Sequence, residues 1–158
     1  MHATIRLYIA ERGVVMGGAC TFFGHRECPN EIQPKLRKVL IDLIENRGVR
    51  MFYVGNQGQY DALVRRILRE LKAEYPEIDY AVVLAYMPKG KEEYEDLSDT
   101  LLPEEVAAVP PRYAIDRRNK WMMKRADFVV TYIIHDWGGA AKFAKMAEKQ
   151  GRKVINLD

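Results

Sequence analysis

Three short turns in this sequence carry glycine beside residues that could bind a ligand, and each turn follows an apolar run. The first contains Gly24, His25 and Arg26. Glycine allows a sharp turn and the close approach of a ligand. Arg26 could contact a phosphate, and His25 could bond a ribose or a base. The alternative interpretation is a solvated loop in which His25 is a satisfied hydrogen-bond partner.

The second turn contains Gly55, Asn56, Gln57 and Gly58, with Asp61 in the first turn of the helix that follows. Free amides and the helix dipole favour an anion at such a point. Asp61 could accept from a ribose hydroxyl, serve as a catalytic carboxylate, or simply cap the helix. The glycine spacing is neither that of the dinucleotide fingerprint nor that of the P-loop.

The third turn repeats strand, paired glycines and helix start, and its residues are His135, Asp136, Trp137, Gly138 and Gly139. Gly138 and Gly139 could hold an anion or form a tight connection without a ligand. Trp137 could stack on a base or cover the end of the sheet. His135 could be an acid or base, and Asp136 is the second candidate catalytic carboxylate.

A basic helix over Arg112–Arg125 precedes the strand that leads into the third turn. Arg117 and Arg118 cluster there as hydrogen-bond donors. Most charge clusters on helices are solvated faces. Because this helix follows a Pro-Pro loop and feeds the third turn, we expect one of these arginines to point at a phosphate.

The elements that must position these turns alternate between β-branched or aromatic runs and longer amphipathic stretches. The pattern predicts a single Rossmann-like three-layer α/β domain with a mostly parallel sheet of about five strands. Ligands bind outside the carboxyl ends of the strands in such sheets. The predicted strands are Ala19–Gly24, Arg50–Val54, Tyr80–Tyr86, Phe128–Ile134 and Val154–Leu157.

Two segments do not fit this alternation. Residues 1–18 are interpreted as an N-terminal extension or an extra edge strand over Thr4–Ala10, and we favour the extension; residues 19–158 form the domain. Residues 87–111 form a long polar connection with Lys89–Lys91 and the acidic run Glu92–Asp96. So long a connection is usually functional or disordered. A short strand or helical turn is predicted near Glu104–Val109.

Composition restricts the function classes. The chain has 158 residues, of which 48% are hydrophobic and 30% charged, and its formal net charge is +3. This charge suits an anionic ligand but is too weak to indicate DNA binding, so nucleic acid is not expected as a partner. No apolar run approaches the roughly 20 residues that span a bilayer. No signal peptide is recognised, and a homo-oligomer is conceivable.

Cysteine usage and the remaining motifs add little chemistry. Cys20 and Cys28 form neither a disulfide framework nor a zinc pattern. We expect both thiols to be reduced in a cytoplasmic protein. No metal-ligand cluster and no Ser-His-Asp order is found, and the sequence assigns no cofactor.

The combined order of motifs resembles the SLOG superfamily, which includes the Smf/DprA and Lonely-guy proteins, and within it a small bacterial branch related to the YpsA proteins. The resemblance covers about Ala19–Leu157. It implies a Rossmann-like fold and a pocket for nucleotides or nucleotide-derived ligands. The segments that carry it are Thr21–Arg26, Gly55–Asp61, Val109–Ile115, Arg117–Asn119, Thr131–Ile133 and Trp137–Ala140.

The resemblance does not imply one activity. Lonely-guy enzymes cleave the base from nucleoside monophosphates and carry a Pro-Gly-Gly-x-Gly-Thr-x-x-Glu motif. Lys142 and Phe143 stand here where the glutamate would be sought, which argues against that reaction. A DprA-like role in binding single-stranded DNA is not favoured either, because the sequence shows no aromatic platform on a basic groove.

The sequence is therefore compatible with three functions. The first is binding or sensing of a nucleotide or nucleotide-derived ligand by the glycine turns, with Arg26 and Arg117 or Arg118 on the phosphate and Asp61 on the sugar. The second is an N-glycosidase-type hydrolase using Asp61 or Asp136. The third is an interaction module without a ligand.

Overall fold

A computed structural model describes residues 6–8, 18–87 and 99–158 of the chain. Most of the N-terminal segment lies outside these ranges, as do the predicted features at Lys89–Lys91 and Glu92–Asp96. No helix in the described part of the chain is both long enough and apolar enough to cross a membrane.

Seven strands and five α-helices make up the described chain. The strands are β1 (Arg6–Tyr8), β2 (Ala19–Gly24), β3 (Met51–Val54), β4 (Asp79–Val83), β5 (Thr100–Pro103), β6 (Phe128–Tyr132) and β7 (Lys153–Asn156). The helices are α1 (Gln33–Arg47), α2 (Gly58–Glu74), α3 (Glu104–Ala107), α4 (Pro111–Arg125) and α5 (Gly139–Lys149), with a 3-10 turn at Asn30–Ile32.

The strands form one sheet in the order β1-β5-β4-β3-β2-β6-β7. Every strand pair among the described residues is parallel. The prediction of a Rossmann-like α/β domain is thus confirmed, while its count of about five strands is too low. The chain builds outward from β2 through β3, β4 and β5, and then returns to the other side of β2 with β6. The strand order reverses between β2 and β6.

Helices cover both faces of the sheet. Alternate residues of the strands point to opposite sides, so Phe22, Phe52 and Val130 pack with α1 and α2, whereas Phe23, Tyr53 and Val129 pack with the other helices. Those helices contribute Val106, Trp121, Phe143 and other apolar residues to a second core. The result is the three-layer arrangement that the alternating sequence pattern predicts.

The α2 helix shows how the sequence produces these layers. Leu63, Ile67 and Leu71 recur at intervals of four and are buried against the sheet. The helix ends at Glu74, two residues before Pro76, which agrees with the bias of residues before proline against helical conformation. Because α2 follows β3 after a short turn, it begins at the carboxyl edge of the sheet, where Tyr60 meets the end of β2.

Tyr60 packs against Gly24 where α2 meets the sheet. Tyr60 is fully buried, and its hydroxyl donates to the Val130 carbonyl at 2.8 Å. A Cβ atom at Gly24 would lie 2.1 Å from Cδ2 of the Tyr60 ring. The glycine predicted to admit a ligand therefore admits a protein side chain.

Replacing Gly24 with alanine should destabilise the fold. Because the added methyl group would overlap the Tyr60 ring, we expect Gly24→Ala to lower the free energy of unfolding by about 1–3 kcal/mol. Urea denaturation measures the change. Gly139→Ala is the matched control, since a Cβ atom there meets nothing within 4 Å. Equal stability of the two variants would contradict the prediction.

Candidate functional site

The three turns converge at one edge of the sheet. Gly24 ends β2, Gly55 follows β3, and the turn at residues 133–138 follows β6. A cavity of about 660 Å³ lies there, beside the point where the strand order reverses. Open parallel sheets bind ligands at this position.

Most of the candidate residues border this cavity, and several do not. Those that line it are Gly24, His25, Arg26, Gln57, Asp61, Arg118, His135, Trp137, Gly138 and Gly139. Gly55, Asn56, Gly58, Arg117 and Asp136 are not among the lining residues. Sequence reasoning missed the apolar wall formed by Phe22, Phe23, Ile115 and Met122, although its members belong to the apolar stripes of β2 and α4.

The first and second turns are packed directly on each other. The Gln59 amide donates to the Arg26 carbonyl at 2.7 Å. Gly58 has a φ of +86°, and a Cβ atom there would lie 2.7 Å from the Arg26 Cα atom. Only glycine fits both the conformation and the space. This contact holds the backbone of Arg26 at the rim of the cavity.

Asp61 stabilises the second turn through a hydrogen bond to its backbone. Its carboxylate accepts the Gln57 amide at 3.0 Å, as an acidic residue in the first turn does when it reaches back to the helix start. The residue is only 8% exposed. Burial raises the pKa of the Asp61 carboxyl, while Arg118 and the Gln57 amide act in the opposite direction.

Arg118 is a buried cation in the wall of the cavity. It is 3% exposed and donates from Nη1 to the Val83 carbonyl at 3.1 Å and from Nε to Asn119 at 2.8 Å. Burial lowers the pKa of its guanidinium, and the charge of Asp61 opposes that shift. A Cβ atom at Gly55 would meet both Asp61 and Arg118 within 2.8 Å, so the turn has no room for a side chain between them.

Arg117 and Arg118 have different surroundings because of the phase of α4. Arg118 follows Ala114 by four residues and precedes Trp121 by three, which places it on the buried face. Arg117 lies outside that face, 3.9 Å from Glu105. The helical period alone could have separated the two arginines.

Side chains that hydrogen-bond to the backbone hold the third turn in place. Nε2 of His25 accepts the Ile134 amide at 3.0 Å. The Asn156 side chain bonds both the amide and the carbonyl of Ile133, each at 3.0 Å. Gly138 is the N-cap of α5 with a φ of +94°, and Gly139 begins the helix. The start of α5 therefore borders the cavity, which Gly138, Gly139 and Ala140 line.

Exposed cations are spread along α4 and α5, outside the cavity lining. α4 exposes Arg112, Arg117, Lys120 and Lys124, and α5 adds Lys142, Lys145 and Lys149. Asp116 pairs with Lys120 at 2.9 Å and with Lys142 at 3.1 Å, joining the two helices. The hydrogen bond from Lys120 is the main reason that the pKa of Asp116 is lowered.

The thiols lie apart from the cavity lining. Cys20 is buried in β2, and desolvation raises the pKa of its thiol. Burial raises the pKa of Cys28 to about 11. Within the described ranges, no group of three or more His, Cys, Asp or Glu side chains could hold a metal ion.

The buried carboxyl of Asp61 predicts a pH dependence of stability. Its pKa in the folded protein is raised above the ordinary 3.8, so the native state binds this proton more tightly than the unfolded chain. The contribution of Asp61 to the free energy of unfolding therefore falls as pH rises from 3.8 through the pKa of the folded protein. The free energy of unfolding of Asp61→Asn, relative to the parent protein, should rise from pH 4 to pH 7.

Urea denaturation of both proteins at the two pH values measures this difference. Glu77→Gln, the same chemical change at an exposed residue, is the control. A relative stability of Asp61→Asn that stays flat or falls with pH would contradict the prediction.

Comparison with known proteins gives structural neighbours only. No family model and no curated protein sequence matches the chain. It is similar to the crystal structure of DNA processing protein A (DprA) from Streptococcus pneumoniae, with a TM-score of 0.67 and 16% identity over 88% of this chain. It is also similar to DNA processing protein A from Helicobacter pylori, with a TM-score of 0.63 and 13% identity over 89% of this chain.

The chain spans 50% of the first of these structures and 65% of the second. The Helicobacter pylori structure concerns a single-stranded DNA binding mode. This likeness contradicts the expectation, drawn from composition, that nucleic acid is not a partner, and that expectation is wrong. It averaged the charge over the whole chain and did not consider the two cations that line the cavity, Arg26 and Arg118. The comparison establishes a DprA-like fold.

Proposed function

We propose that the chain binds a nucleotide or a nucleotide-derived ligand in the cavity between β2 and β6. The observation that carries this proposal is the convergence of a buried arginine, Arg118, with the glycine start of α5 in a cavity where the strand order reverses. A fixed cation and a set of free helix amides suit a phosphate group.

The phosphate would lie at the start of α5. Gly138, Gly139 and Ala140 line the cavity, so the first amides of α5 would face a ligand there, and Gly139 leaves open space for it. The helix dipole adds to the attraction for an anion. Arg26 on the rim and Arg118 in the wall would neutralise the phosphate from two other sides.

Two sources could supply such a ligand, namely a free nucleotide and one nucleotide unit of a single strand. The basic residues of α4 and α5 would attract either one, and a strand would contact more of them. The DprA-like fold supports including the strand among the probes. We also propose, from the order of its sequence motifs, that the chain belongs to the SLOG superfamily and, from its sparse cysteines, that it is cytoplasmic.

Cleavage of the ligand is the less favoured alternative. Asp136 is exposed and is not among the residues that line the cavity. Asp61 lines it, but its Oδ2 atom already accepts the Gln57 amide. Release of a free base that disappears in Asp61→Asn would revive the hydrolase hypothesis.

Filling the space above Gly139 tests the proposal. Its Cβ position meets nothing within 4 Å, and the residue needs no positive φ, so Gly139→Val should fold. The added isopropyl group would occupy the phosphate position. We expect Gly139→Val to lose at least tenfold in affinity for nucleoside monophosphates or a short oligothymidylate, measured by calorimetry.

The control is Ala73→Val, which places the same valine side chain on the exposed far end of α2. It should bind as the parent protein does. The proposal is rejected if no probe at millimolar concentration gives binding heat or raises the melting temperature of the parent protein. The ligand-free interaction module is then the remaining hypothesis. Unchanged affinity of Gly139→Val would place the ligand elsewhere.

A further inference from the structure

Three aromatic rings stack at the mouth of the cavity. The rings of His25 and His135 have centroids 3.8 Å apart and planes inclined by 21°. The rings of His135 and Trp137 follow at 3.7 Å and 8°. These spacings correspond to direct face-to-face contact. The stack runs from the turn after β2 to the turn after β6, with Trp137 as its outer member.

Backbone hydrogen bonds fix the two inner rings. Nε2 of His25 accepts the Ile134 amide, and Nδ1 of His135 donates to the Trp137 carbonyl at 2.9 Å. The rings of Tyr132 and His25 also pack in a T-shaped arrangement, with centroids 6.3 Å apart. The imidazoles are therefore held before any ligand arrives, so that little ordering remains to be done on binding.

The indole of Trp137 is open on its outer side. His135 covers one of its faces, yet the residue is 68% exposed. The other tryptophan, Trp121, is 2% exposed within the core. A large aromatic ring left open at the end of an ordered stack is suited to receive another flat ring.

The position of the open face indicates which ring it would receive. Trp137 lines the same cavity as Gly138, Gly139 and Arg26, and it directly precedes Gly138, the N-cap of α5. A ligand with its phosphate on that turn would therefore bring its next group beside the indole.

We propose that Trp137, backed by His135 and His25, is a stacking platform for the nucleobase of the bound ligand. This inference rests on the proposed function and extends it from the phosphate to the base. Stacking contacts the flat face that every base has, so the platform would bind purines and pyrimidines alike. Arg26 and Arg118 would hold the phosphate, and the platform would hold the base.

Pairs of probes with and without a base test this inference. AMP is compared with ribose 5-phosphate, and an oligothymidylate with an abasic oligonucleotide of the same length. The parent protein should bind the base-bearing member of a pair more tightly. Trp137→Ala should lose about 5- to 150-fold in affinity for that member and none for its base-free counterpart. Trp137→Phe should retain most of the affinity.

Fluorescence gives an independent measurement, because the two tryptophans differ in exposure. A base stacked on Trp137 should quench the emission of the parent protein and of Trp121→Phe. Quenching should be absent in Trp137→Phe, where Trp121 alone emits. Each variant is first checked by circular dichroism, and the exposed position of Trp137 favours a retained fold.

The outcomes separate this inference from the proposed function. If neither member of either pair binds the parent protein, the proposed function fails and the platform fails with it. If both members bind equally well, the phosphate site stands and the platform is rejected. Equal losses for both members in Trp137→Ala would also reject it, since Trp137 would then act by shaping the turn.

Discussion

The buried ring of Tyr60 sets the distance between the two halves of this site. The ring fills the space beside Gly24, and its hydroxyl donates to the Val130 carbonyl on the next strand. One residue of α2 thereby contacts both β2 and β6 at the point where the strand order reverses. The close contact between Gly58 and Arg26 follows from this placement, and so does the rim of the cavity.

Much of the fold could be predicted from the sequence, because helices packed on one side repeat apolar residues at intervals of three and four, and strands covered on both faces read as short apolar runs. β5 could not, since its run Thr100–Pro103 is short and ends in proline, which has no amide to donate to a sheet. Its burial depends on β4 and on Val106, which are brought to it only by the fold.

The parts of the site that depend on the order of strands and turns could be predicted from the sequence. The parts that depend on contacts between residues far apart in the chain could not. Parallel strands place successive carboxyl ends together, so the convergence of the three turns followed from the fold class. The partner of Gly24 could not be found in the same way, because nothing near Gly24 in the sequence indicates Tyr60. The amide of Asn156, which holds Ile133, is equally remote from the turn that it fixes.

The pairing of β2 with β6 joins distant parts of the chain. The Ala19 amide bonds the Asp127 carboxylate across a sequence separation of 108 residues. Closing so long a loop costs entropy that local contacts do not repay. A chain that has assembled only β2 to β5 contains Arg26 but not the turn with Trp137. A ligand that needs both walls therefore stabilises the completed fold without stabilising such a folding intermediate.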